Sequence, residues 1–194
     1  MAVTTRIGGT NVTTAHAARW SASMLSAFIA SQVGGVLMAL TLAGWFVVAD
    51  NATLLHPLRV IATFRYGERA MYELTTSGFL WAAAFHAGVC AAWGILFGFL
   101  ATTLRVDKSL WGPTVLGLAI GLGSQIVDVN IVTPVAMEAL HGHDLWADHV
   151  PPAASWAAHL AFGLGFSSFT PIFRRLWLRW VGRGDLLAGD PRLT

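Results

Sequence analysis

SASMLSAFIASQVGGVLMALTLAGWFVV, residues 21–48, holds no charged side chain from Ser21 to Val48. About 20 helical residues cross a hydrocarbon core, so this stretch is long enough to span a bilayer and too long for a signal-peptide core. Three further stretches share its character. Phe79–Leu104 carries only His86, Trp111–Val127 stays uncharged until Asp128, and Pro152–Phe173 carries only His159. The whole chain is 55% hydrophobic and 11% charged, with a mean hydropathy of +0.61. A 194-residue soluble domain has no use for apolar runs of that length. The expected fold is all-α: a polytopic membrane protein with four transmembrane helices at about 21–48, 79–104, 111–133 and 152–174. They make a domain over 21–176, flanked by a polar tail 1–20 and a basic tail 177–194.

Charge orients this bundle. Arg6, Arg19, Arg105, Lys108, Arg174, Arg175, Arg179, Arg183 and Arg192 fall on one side, and only Arg59, Arg65 and Arg69 on the other. The positive-inside rule puts both termini in the cytoplasm. The net charge of +2 then reflects orientation, and no dedicated basic patch points to nucleic acid. Between the first two spans, Pro57–Leu74 mixes Leu58, Ile61, Phe64 and Met71 with charged residues, the pattern of a short interfacial helix. Pro57 suits its first turn, while Gly67 interrupts the periodicity. Each half of the chain has a Gly/Ala-rich helix running outward, then a returning helix with Trp, Ala-Ala and His near its outer end, as in Trp81–His86 and Trp156–His159. That layout suggests two tandem helical hairpins related as parallel repeats.

Gly94 with Gly98 and Gly117 with Gly121 are small-xxx-small patterns, which bring membrane helices close together within a chain or between subunits. Depth gathers the polar residues. His86 and His159 lie about 10 Å below the outer ends of their helices, and Asp128, Gln125 and Asn130 reach the same outer half from the third helix. Polar side chains in hydrocarbon need partners and mark functional sites. Three readings are open for His86 and His159, with Asp128 and Gln125 as polar neighbours. They can brace the bundle through interhelical hydrogen bonds, ligate one b-type haem as axial imidazoles, or line a quinone pocket where His and Asp exchange protons.

The outer loop 138–149 adds His141, His143, Asp144, Asp148 and His149. These residue types can hold Zn²⁺ or Cu²⁺, although their spacing matches no known site, and a solvated loop with helix-capping aspartates is the competing reading. Without Lys or Arg, the loop also offers a docking face to a periplasmic partner. Cys90 is the single cysteine, so no disulfide framework exists. Elbow, P-loop and His-Glu-x-x-His motifs of soluble enzymes are missing, and a small transport protein has little to support it.

The second half, Leu110-Trp111-Gly112, Thr133-Pro134, Leu145-Trp146 and Trp156-Ala-Ala-His159 through Gly163, resembles small four-helix bacterial inner-membrane proteins of the YagU kind. The resemblance covers about 60 residues and implies no settled activity. From the residues, the expected role is non-catalytic: an accessory or anchoring subunit of a larger membrane assembly such as an electron-transfer complex. It would sit among lipids and meet other subunits through the Gly94, Gly98, Gly117 and Gly121 faces. The alternative is a protein that binds haem or quinone at His86 and His159.

Overall fold

The computed structural model describes residues 6–7, 10–50, 52–109 and 111–187. Arg192 of the basic tail and Leu110 lie outside them. Apart from a two-residue antiparallel pairing of Arg6–Ile7 with Thr10–Asn11, the described chain is helical. Helix α1 covers Val12–Asp50, α2 His56–Tyr66, α3 Arg69–Tyr72 and α4 Thr76–Leu104. After a 3-10 turn at Val106–Lys108 come α5 (Gly112–Ser124), a π-helical segment (Gln125–Val132) and α6 (Thr133–His141). The chain ends with α7 (Leu145–His149), α8 (Pro152–Gly165), a second 3-10 turn (Phe166–Ser168) and α9 (Phe169–Leu187). Three helical stretches are long and apolar enough to cross a membrane: His16–Ala49, Thr76–Leu104 and Gly112–His141.

Helix α1 is the axis of the bundle, and its buried face explains why. Ala22-Ser23, Ser26-Ala27, Ala30-Ser31 and Gly34-Gly35 are all buried, a pair of small residues at every fourth position. Residues four apart share a helix face, so α1 presents a smooth seam on which neighbours can close. Helix α4 lies along it antiparallel: Gly94 rests against Ser31 and Ala27, Gly98 against Ala27 and Met24, and Thr102 Oγ1 donates to Ser23 Oγ at 2.6 Å. Helix α8 closes on the other flank, with Gly165 against Gly34 and Phe162 over it. Helix α5 backs onto α8 in turn, Gly117 and Gly121 meeting Gly163. Large residues fill what remains. Phe97 of α4 stacks on Phe166 with centroids 4.1 Å apart, and Phe162, Phe169 and Phe173 extend the aromatic core. Leu25, Val36 and Leu40 point away from it.

Glycine and proline account for the departures from expectation. The connector 57–74 is not one helix but two, because Gly67 turns the backbone to φ +63°. Pro57 does open α2, and Arg59 Nη1 donates to the Met71 carbonyl at 2.8 Å, folding α3 back onto it. The third long helix runs beyond residue 133, through Pro134, to Gly142 at φ +78°. A proline ring clashes with the carbonyl four residues back, here Asn130. The helix widens instead of breaking, and Thr133 N–H reaches the Asp128 carbonyl in an i to i−5 bond. The fourth stretch is interrupted: α8 has 14 residues, and Phe166–Ser168 tighten into 3-10 geometry before α9. Pro171, by the same rule, excludes the Ser167 carbonyl.

Contacts between backbones should dominate stability. A Cβ on Gly163 would lie 2.6 Å from the Gly117 carbonyl oxygen and 2.9 Å from Leu118 Cα, whereas one on Gly88 or Gly123 would meet nothing within 4 Å. Gly163→Ala is therefore expected to lose about 1–3 kcal/mol to overpacking, while Gly88→Ala and Gly123→Ala hold or raise the midpoint. Thermal unfolding of the purified protein in detergent checks this.

Candidate functional site

Polar residues within the long apolar helices converge where α1, α4, α8 and the π segment meet. His86, Cys90 and Trp93 fall on one stripe of α4 at spacings of four and three. His86 Nε2 lies 3.1 Å from the Gly35 carbonyl and 3.7 Å from Cys90 Sγ. Gly35 is required there, since a Cβ would sit 2.7 Å from the sulfur. His159 is 3% exposed and donates from Nδ1 to the Ser155 carbonyl at 2.9 Å, one turn earlier on α8. Trp93 Nε1 donates to Asp128 Oδ2 at 2.7 Å, a short bond of the charge-assisted kind. It joins α4 to the π segment. Gln125 belongs to a second set: its Oε1 accepts from Ser155 Oγ at 2.8 Å and its Nε2 donates to Asn130 Oδ1 at 3.3 Å. Gln32 reaches the Ala87 carbonyl at 3.3 Å, bracing α1 against α4.

Two connected spaces open among these groups. A recess of about 40 Å³ is lined by His86, Cys90, Trp93, Ser124, Asp128 and His159, with Met38, Val89 and Phe162. His86, Asp128, His159, Met38 and Val89 also border a larger chamber of about 330 Å³. Its other walls are almost wholly apolar, and α2 contributes Pro57, Leu58, Ile61 and Phe64 as a roof. Leu40, Leu54 and Val132 stand at its edge, 61%, 69% and 51% exposed. The chamber thus opens sideways, between helices, at the surface that the apolar side chains present. An apolar cavity of this size with a few convergent polar groups is the common form of a small-molecule site.

His86, His159 and Asp128 are brought together as the sequence suggests, and Gln125 lies one layer behind them. The loop residues are not. His141 Nε2 faces the Phe64 carbonyl at 3.4 Å, His143 Nδ1 the His141 carbonyl at 3.2 Å, and His143 Nε2 comes no nearer than 3.7 Å to Asp148. Asp144 caps α7, accepting from the amides of Trp146 and Ala147 at 3.0 and 3.2 Å. His149 ends that helix. Among the described residues, no three His, Cys, Asp or Glu side chains gather to hold a metal ion. Gly94 and Gly98 are buried against α1, and Gly117 and Gly121 against α8, all within the chain. Sequence reading missed Trp93, Cys90 and Gly35, although the 86, 90, 93 spacing on α4 was a signal for the first two. Comparison with protein-family models, curated proteins and solved structures finds no match.

The Trp93–Asp128 bond should be measurable as a coupling. Asp128→Leu leaves the part-buried indole N–H without its acceptor and is expected to cost about 1 kcal/mol, with Asp128→Asn costing less because it keeps an oxygen acceptor. Adding Trp93→Phe to Asp128→Leu should recover most of the loss. A double-mutant cycle of unfolding free energies in detergent tests it, and additive losses would mean the bond carries no energy.

Proposed function

We propose that the protein is a membrane-embedded binding protein for a small lipophilic molecule whose polar head reaches His86, Asp128 and His159. The observation that carries the reading is the 330 Å³ apolar chamber ending in a polar recess. Such a shape suits a ligand with a hydrocarbon body and one polar end. Entry past Leu40, Leu54 and Val132 suits a molecule arriving from the bilayer instead of from water. Of the two cofactors considered for the histidines, a quinone-class head group fits the space better than haem. Bis-imidazole ligation needs an unprotonated nitrogen from each ring facing iron with a porphyrin between them. The recess that both rings line, at about 40 Å³, holds no more than a few water-sized groups and no porphyrin.

The proposed setting is a four-span topology in a bacterial cytoplasmic membrane, with both termini inside. Helix α8 alone is about 21 Å long, short of the roughly 30 Å hydrocarbon core. With the 3-10 turn and the first residues of α9, up to Arg174, it reaches across. Arg105, Lys108, Arg174, Arg175 and Arg179 then stand at one end of the bundle, and the chamber with Glu138, Asp144 and Asp148 at the other. That separation supports the inside-outside assignment. Helices α2 and α3 would lie at the outer interface. The bacterial location rests on the resemblance of the second half alone. An accessory role in a larger complex draws no support from the glycine faces, which are spent within the chain.

The test is what the protein carries. Purified in mild detergent from its native membrane and extracted with organic solvent, the wild type is expected to release one small lipophile near equimolar amount. Ala43→Phe, which fills the chamber from a buried position on α1, should elute unchanged in size-exclusion chromatography without that molecule. A dithionite-reduced minus oxidised spectrum should lack a b-type band. Extracts of the two proteins that match would sink the binding reading, and a stoichiometric haem band lost in His86→Ala and His159→Ala would replace it.

A further inference from the structure

The hydrogen-bond inventory of the recess specifies the head group, an inference that rests on the binding reading above. A carbonyl oxygen only accepts. The Ser155 carbonyl therefore fixes a proton on His159 Nδ1, and the Gly35 carbonyl fixes one on His86 Nε2. A neutral imidazole has one donor and one acceptor nitrogen, so what remains is a lone pair on His159 Nε2 and another on His86 Nδ1. Asp128 takes the Trp93 N–H on Oδ2, and an ionised carboxylate adds only further lone pairs. Even protonated, it would supply one O–H against two imidazole acceptors.

Within the recess the neighbouring donors are already used; Thr133, which carries a hydroxyl, lines only the larger chamber. Ser124 Oγ donates to the Gly121 carbonyl at 2.9 Å, and the Trp93 indole N–H is spent on Asp128. Cys90 offers only a weakly donating thiol. Trp146 borders the larger chamber with an indole N–H that has no acceptor, but that nitrogen is covered by protein and does not reach the cavity. With Asp128 ionised, a ketone, ether or ester arriving here would set acceptor against acceptor and leave its own oxygen unsatisfied, at a cost of about 1–3 kcal/mol. A hydroxyl would satisfy itself and one of the lone pairs. An ammonium group would donate too, yet moving a full charge from water into an apolar chamber costs far more than moving an O–H.

We infer that the recess selects a lipophilic hydroxyl compound, a phenol or long-chain alcohol, whose O–H donates to His159, His86 or Asp128 while its hydrocarbon lies in the chamber under α2. In quinone chemistry this is the reduced, hydroxyl-bearing partner and not the diketone. The ligand is thereby distinguished from lipids at large by its head group.

A matched pair of probes isolates the point. The full-length protein in detergent is titrated calorimetrically with 4-octylphenol and with its methyl ether, 4-octylanisole, and Ala43→Phe serves as the blocked-chamber reference. The expected result is at least tenfold tighter binding of the phenol, with the preference reduced in His159→Phe. The same ratio read on the wild type alone keeps the test valid if that variant does not fold. Equal or tighter binding of the anisole, abolished in Ala43→Phe, overturns the hydroxyl selection and leaves the pocket standing. Failure of both probes to bind, or binding unchanged in Ala43→Phe, overturns the pocket and the selection together.

Discussion

Helices in hydrocarbon gain nothing by hiding apolar surface from lipid, so they are held by close contact and by polar groups that have nowhere else to turn. The seam of small residues on α1 meets that constraint. Because a pair recurs every fourth position from Ala22 to Gly35, α4 and α8 can both approach the same helix at backbone distance. Everything downstream depends on that approach. Gly35 brings a carbonyl to His86, Gly34 receives Phe162 and Gly165, and the aromatic core over Phe97 fills the angle between the flanking helices. A large side chain in the seam would part α4 from α8 and with them the two histidines.

The polar groups sort into two kinds. Ser155, Gln125 and Asn130 form a run whose donors and acceptors match, and Trp93 spends its one donor on Asp128. These can be understood as bracing. The two imidazoles differ, because each has one nitrogen turned to a carbonyl and one lone pair beside a space. His159, at 3% exposure, is the more buried of the two, and buried polar groups are seldom left in that state unless something completes them. On the proposed reading, that asymmetry is what a ligand would complete.

Much of this is legible in the amino-acid sequence. The uncharged runs around residues 21–48, 79–104 and 111–127 announce long apolar helices, and equal depth draws His86, His159 and Asp128 toward one another. Pro57 announces the start of α2. Other features are hidden for physical reasons. Periodicity shows that a face is small without showing which neighbour it meets, so Gly94, Gly98, Gly117 and Gly121 can be assigned to a partner subunit when they serve the chain itself. Pro134 signals trouble for an α-helix but does not say whether the helix ends, kinks or widens. The stretch 152–174 reads as one apolar run, and only the carbonyl excluded by Pro171 reveals its interruption. Trp93 reads as one more aromatic in an apolar helix; its indole N–H acquires meaning once Asp128 lies opposite.

The wide turn at Gln125–Val132 has a consequence of its own. By changing the pitch for a few residues, it alters the rotational phase between α5 and α6, so one continuous crossing carries two independent faces. The α5 face follows α8 through Gly117 and Gly121, while the α6 face turns to α2 and α7. Substitutions can therefore accumulate around the chamber without disturbing the glycine contact below it.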